Sequence, residues 1–135
     1  MDTLTQYVVD TVAFVRHLED RLSPRISRIF DEAESGRNHL YLPDIALAEF
    51  VYICLKGRLK VTRPVMKVRD VLQNLFASEA FTVSGMTAGA WEAFVNLPIP
   101  ELHDRMIAAE AIARGLPLIS SDSAFDGVPS LTRVW

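Results

Sequence analysis

A chain of 135 residues, half of it apolar and with a formal charge of −3, has the length of one ordinary domain. It can bury a core without disulfides or structural metals; its single cysteine, Cys54, excludes an internal disulfide, and no Cys/His spacing resembles a zinc site. The acidic balance excludes a uniformly basic nucleic-acid-binding surface. No secretory-type opening and no run near the roughly 18 apolar residues of a bilayer span occur, so a cytoplasmic, non-membrane protein is expected.

Tyr7-Val8-Val9 reads as a short strand ended by Asp10-Thr11, because strands buried on both faces appear as apolar runs without alternation. Apolar residues at helical spacing (Phe14, Val15, Leu18, Leu22) predict a helix over 12–22. Ser23-Pro24 starts the next helix, which runs to about Ser35-Gly36. His39 to Leu42 is a second strand. Pro43-Asp44 opens a helix expected to turn Ile45, Leu47, Ala48, Val51, Tyr52 and Leu55 inward until Gly57 stops it. Thr62-Arg63-Pro64 starts a helix through Ala77. Phe81-Thr82-Val83 is a third strand, followed by a helix over 87–96 and the rigid connector Leu97-Pro98-Ile99-Pro100. Leu102 to Arg114 is the clearest helix, closed by Gly115. Leu116 to Ser120 and Leu131 to Trp135 complete five strands. Strands alternating with helices predict one α/β domain over 1–135, a three-layer α/β/α fold around a central parallel sheet.

Cys54 lies in the apolar run Phe50 to Leu55 and is expected to be a buried small hydrophobe. Six basic residues and no acid occur from Lys56 to Arg69 (Lys56, Arg58, Lys60, Arg63, Lys67, Arg69), which fits a solvated surface or a local phosphate contact. His17 and His39 are expected at the surface, and His103 precedes Asp104. The six glycines form no phosphate-binding loop, and a serine nucleophile elbow is missing.

Four acids stand apart. Asp10 and Asp122 follow strands, Asp104 starts a helix, and Glu49 sits within the apolar helix Ile45 to Val51. Asp10 and Asp104 are also placed to cap helices or oppose their dipoles. In an open parallel sheet, however, the carboxyl ends of the strands form the ligand crevice. Acids converging there repel one another unless a cation lies between them, and a hard divalent ion such as Mg²⁺ takes oxygen ligands. A small metal-dependent phosphodiesterase-type enzyme is expected. Asp126 suits a turn, and the remaining acids, Glu110 among them, are expected on solvated faces.

Val8-Val9-Asp10-Thr11, Leu47-Ala48-Glu49-Phe50, the run LHDRMIAAEA (102–111) and GLPLISSDSAFDG (115–127) together resemble a PIN domain, in that family's order and across essentially the whole chain. The HDRMIAA-type segment followed by a strand and Ser-Asp is the most specific part. The length and the closing Thr-Arg-Val-Trp are similar to the stand-alone VapC-like toxins. The resemblance implies an endoribonuclease dependent on Mg²⁺ or Mn²⁺, often a homodimer, neutralised by a VapB-type antitoxin. It places the acidic site on Asp10, Glu49, Asp104 and Asp122. Val12 stands where the family often carries a supporting Asn, and Ser120 where it usually carries Thr.

On that reading the reaction is hydrolysis of an RNA phosphodiester. Asp10, Asp104 and Asp122 are expected to ligate a first ion directly or through water, and Glu49 to hold a second or orient the attacking water. Thr11 and Ser120 are expected to hydrogen-bond ligand carboxylates. Arg16 and Arg105 are placed either to meet the phosphate or to pack their stems over apolar surface. A non-catalytic PIN-like module that binds RNA or protein, and a metal-dependent phosphatase, are the alternatives.

Overall fold

The computed structural model describes residues 4–57 and 68–135. Its strands are β1 (Thr5–Val9), β2 (Asn38–Pro43), β3 (Phe81–Ser84), β4 (Leu118–Ile119) and β5 (Arg133–Val134). They form one sheet in the order β3-β2-β1-β4-β5, and every pairing is parallel. The chain works outward from β1 through β2 to β3, then crosses back to lay β4 and β5 on the other side. The order therefore reverses between β1 and β4, where Val8 pairs with Leu118 and Val9 with Ile119. Such a switch point opens a crevice beyond the carboxyl ends of the two strands.

Six α-helices among the described residues flank the sheet: α1 (Thr11–Leu18), α2 (Pro24–Glu34), α3 (Asp44–Leu55), α4 (Val68–Ala77), α5 (Ala88–Asn96) and α6 (Leu102–Arg114). This is the expected three-layer α/β/α arrangement with a central parallel sheet. None of the described helices is long and apolar enough to cross a membrane. The sheet core (Val8, Val9, Leu40, Leu42, Leu118, Ile119) is fully buried. Phe14 on α1 meets Phe50 on α3 edge-on at 5.3 Å and Phe81 at 5.9 Å. Such pairs add about 0.5–1.5 kcal/mol beyond their area burial. On α6, Ala108, Ala109 and Ala111 are fully buried. Their small side chains let the helix lie close on β1 and α3.

Several elements differ from the sequence reading. Helix α1 ends at Leu18 rather than Leu22, because Asp20 adopts a left-handed conformation (φ 56°). Arg21 N then bonds Arg16 O and Asp20 N bonds His17 O, the paired bonds of a Schellman termination. In α3, Ala46 and Phe50 are buried and Ile45, Leu47 and Val51 pack against the core as expected, whereas Ala48, Tyr52 and Leu55 are exposed. The helix is apolar nearly all round, so its spacing does not set its phase. Cys54 is half-buried against the core rather than sealed within it. His17 is only partly at the surface: its ring stacks on Phe30 at 4.4 Å, and burial pushes its pKa down against the charges of Glu34, Asp31 and Asp20. The start of the 62–77 helix, and Arg58, Lys60, Arg63 and Lys67 of the basic cluster, lie outside the described residues. Lys56 and Arg69 are exposed.

Glu110 departs furthest from expectation. It was expected in solvent, yet it is 3% exposed and faces the interior from α6. Ser84 Oγ, at the end of β3, donates to its Oε2 at 2.6 Å. Arg114 Nε lies 3.7 Å from the same oxygen, and its guanidinium sits 4.5 Å from the centre of the Tyr41 ring. Burial raises the Glu110 pKa, outweighing the Ser84 hydrogen bond and the Arg114 charge.

Candidate active site

Asp10 follows β1 at the switch point and is 6% exposed. It also caps α1, its Oδ1 accepting from Ala13 N at 2.8 Å. The two readings of this residue, cap and site, are therefore compatible, since the second oxygen is not needed by the helix. Burial raises its pKa, and the charges of Asp122 and Glu49 push the same way against hydrogen bonds from Ser120 and Ala13. Ser120, fully buried at the end of β4, hydrogen-bonds Asp10 and accepts from Asp122 N at 3.0 Å. Asp10 N in turn bonds Ile119 O at 3.2 Å, so the pairing of two strands fixes the spacing of two acids.

Glu49 reaches the same place from α3. Its Oε1 accepts a 3.0 Å hydrogen bond from Thr11 Oγ1, joining the helix to the residue that follows Asp10. Asp104 arrives in the first turn of α6, half-buried, and its pKa is pushed up to about 6. Burial is the main cause, followed by the charges of Glu101, Asp122, Glu49 and Asp10. Asp122 caps a short 3-10 turn (Ser123–Phe125) by accepting from Ala124 N at 2.9 Å. The four expected acids thus lie within electrostatic reach of one another, Asp10 with Asp122 and Glu49, and Asp104 with all three. Thr11 hydrogen-bonds Glu49, and Ser120 lies close enough to Asp10 to lower its pKa.

Acidic oxygens alone are the donors that suit Mg²⁺ or Mn²⁺. Among the described residues no three His, Cys, Asp or Glu side chains already close around one point as a ligand set. The charges of neighbouring acids add to the larger effect of burial in raising the Asp10 and Asp104 pKa values.

The sequence model of the PIN domain family matches residues 7–131. The chain belongs to the PIN domain family. None of the curated proteins matches it. Its fold is similar to that of VapBC2 from Rickettsia felis bound to a promoter DNA fragment (TM-score 0.73, 19% identity, covering 96% of this chain and 98% of that one). It is similar also to DNA-bound VapBC from Salmonella typhimurium (TM-score 0.69, 18% identity, 97% and 98% covered). VapBC-5 from Mycobacterium tuberculosis, a toxin–antitoxin system, is a third such structure (TM-score 0.58, 20% identity, 96% and 98% covered).

Within this PIN domain some expected contacts fall elsewhere. Arg105 is not free to meet a phosphate. Its guanidinium donates to the carbonyls of Phe94 (2.7 Å), Val95 (2.9 Å) and Ile99 (3.4 Å), closing the end of α5. Arg16 lies over the Trp135 ring at 5.3 Å. Asp126 forms a two-pronged pair with Arg133 (2.8 and 2.9 Å), which agrees with a turn role. Val12, at the position where PIN domains often carry Asn, is about half exposed beside Asp10 and offers the site no hydrogen bond.

Sequence reasoning missed Glu101. It caps α6, accepting from Asp104 N at 2.6 Å, and its Oε1 lies 3.1 Å from His103 Nδ1. Burial pushes its pKa up, but hydrogen bonds from Asp104 and His103 outweigh that and hold it below the usual carboxylate range. The available signal was its place three residues before Asp104, where a side-chain oxygen meets the backbone N–H of the first turn.

Proposed function

We propose that this PIN domain is a VapC-like toxin: an endoribonuclease that hydrolyses RNA phosphodiesters with Mg²⁺ or Mn²⁺. On this reading it acts in the cytoplasm as a homodimer and is held inactive by a VapB-like antitoxin. What supports the reading is that Asp10, Glu49, Asp104 and Asp122 lie within electrostatic reach of one another in a PIN fold. The similarity to three VapBC structures supports the toxin–antitoxin context.

Bound there, the metal would polarise a phosphoryl oxygen and lower the pKa of a water so that hydroxide forms at neutral pH. Asp10, Asp104 and Asp122 would hold it, directly or through water. Glu49, whose Oε1 accepts from Thr11, would hold another ion or orient the attacking water. Ser120 keeps Asp10 and Asp122 in register. Ionising the crowded acids costs energy without a cation, so metal binding should release protons.

The test is incubation of the purified protein with total cellular RNA, with Mg²⁺ or Mn²⁺ and with chelator, alongside Asp104→Asn. Discrete products that require metal and fall by about 100-fold or more in the variant support the reading; losing a preorganised charged group has effects of that size. Equal behaviour of the two proteins overturns it. A second reading, a PIN domain that binds RNA or protein without cutting it, draws on Val12 and on the open spacing of the acids. It predicts RNA retention with no metal-dependent products.

A further inference from the structure

Glu101 and His103 lie outside the four-acid set, yet they connect its members. His103 Nδ1 stands 3.1 Å from Glu101 Oε1 and 3.5 Å from Glu49 Oε2. Glu101 uses its other oxygen, Oε2, on the backbone N–H of Asp104. One carboxylate therefore sets both the imidazole ring and the backbone of an acid in the site. At the far end of the chain of contacts, Thr11 holds the opposite oxygen of Glu49. A continuous path runs from α1 through Thr11, Glu49, His103 and Glu101 to the first turn of α6.

We propose that Glu101 and His103 are positioning residues, in which His103, oriented by Glu101, fixes the Glu49 carboxylate at the mouth of the acidic crevice. The inference rests on the metal-dependent reading above and names how one of its acids is held. Glu49 is a long side chain on a helix different from the one that carries Asp104, so without a second anchor it has several rotamers open to it. Ordering such a side chain carries a substantial entropy cost. A hydrogen bond to one oxygen from α1 and the His103 contact at the other from α6 narrow that freedom before any ion arrives. Groups that touch ligating carboxylates in the layer behind them set ligand geometry and metal affinity.

The three side chains are 51%, 40% and 29% exposed for Glu101, His103 and Glu49. Contacts so open to water contribute little to folding. Their effect should therefore be read at the site rather than in stability. The competing account is that Glu101 is a helix cap and nothing more. Glu101→Ser separates the two, because serine caps a helix about as well as an acid does but does not reach His103.

The experiment measures Mn²⁺ affinity by calorimetry, and melting temperature without metal, for the full chain and for Glu101→Ser, His103→Ala, their double variant and Asp104→Asn. Melting temperatures of the Glu101 and His103 variants should match wild type. Each single variant should bind Mn²⁺ about 10- to 100-fold more weakly. The double variant should bind no more weakly than the weaker single one, since both act on Glu49 through one path. Wild-type affinity in the single variants overturns the inference and leaves the functional reading standing, provided Asp104→Asn has lost the ion. Losses that add in the double variant also overturn it, because the two residues then act separately. A wild-type chain that binds no Mn²⁺ overturns the functional reading and this inference with it.

Discussion

Ser84 Oγ donates a 2.6 Å hydrogen bond to Glu110 Oε2 inside the protein, tying the carboxyl end of β3 to the middle of α6. Burial raises the Glu110 pKa, so the fold favours its neutral form. The stability that Glu110 contributes is complete below its unfolded pKa and is lost as pH rises through the folded value. Glu110→Gln should flatten that part of the pH dependence. Ser84→Ala should cost about 1–3 kcal/mol, more at high pH where the carboxylate has lost its donor. Thermal denaturation across the acidic and neutral range checks both. A Glu110→Gln curve parallel to wild type would contradict the burial argument.

Asp104 has a folded pKa of about 6, well above the ordinary aspartate range. Its ionisation is disfavoured in the fold, so stability held at low pH is lost as pH rises through about 6. Asp104→Asn removes that charge and should be more stable than wild type at neutral pH. The gain is on the order of 1 kcal/mol, after discounting for solvent screening at a half-exposed position. It should vanish below about pH 4, where both proteins are neutral at this site. Melting temperatures at the two extremes decide the matter, and saturating Mn²⁺ should raise the wild-type value more at neutral than at acidic pH.

Arg105 is engaged by three carbonyls and lies over the Phe94 ring at 4.9 Å. Lysine cannot reproduce that fork of donors. Arg105→Lys should therefore lower stability by about 1.5–3 kcal/mol, the range for hydrogen bonds to a charged group. Urea denaturation reads it as a lower midpoint with an unchanged slope. An unchanged midpoint would return Arg105 to the residues free to contact a phosphate.

The parallel sheet was legible because Val8-Val9 and Leu118-Ile119 are short apolar runs that end in polar residues, a pattern local to each segment. Asp10 and Asp122 were legible for the same reason: a strand's end is written beside its apolar run. The inward face of α3 was not, since a helix apolar on nearly every side needs its neighbours to choose a phase. Glu110 was misread because its spacing along α6 does not reveal that Ser84 waits across the interior. Glu101 was missed because an acid before a helix is an ordinary cap. Only the folded chain shows that its second oxygen meets His103.

The order in which the chain is made bears on when the crevice can exist. β1 has one edge for β2, which follows soon after it, and one for β4, which comes near the end. A growing chain that has reached Pro100 carries Asp10 and Glu49, but neither Asp104 nor Asp122. Its first strand still shows a bare edge, and contacts between such distant segments form slowly. The four carboxylates meet only once α6 and β4 have been synthesised and docked. Whatever chemistry they perform is withheld from the half-made chain, so the pairing of β4 with β1 acts as a timer on the site as well as a structural join.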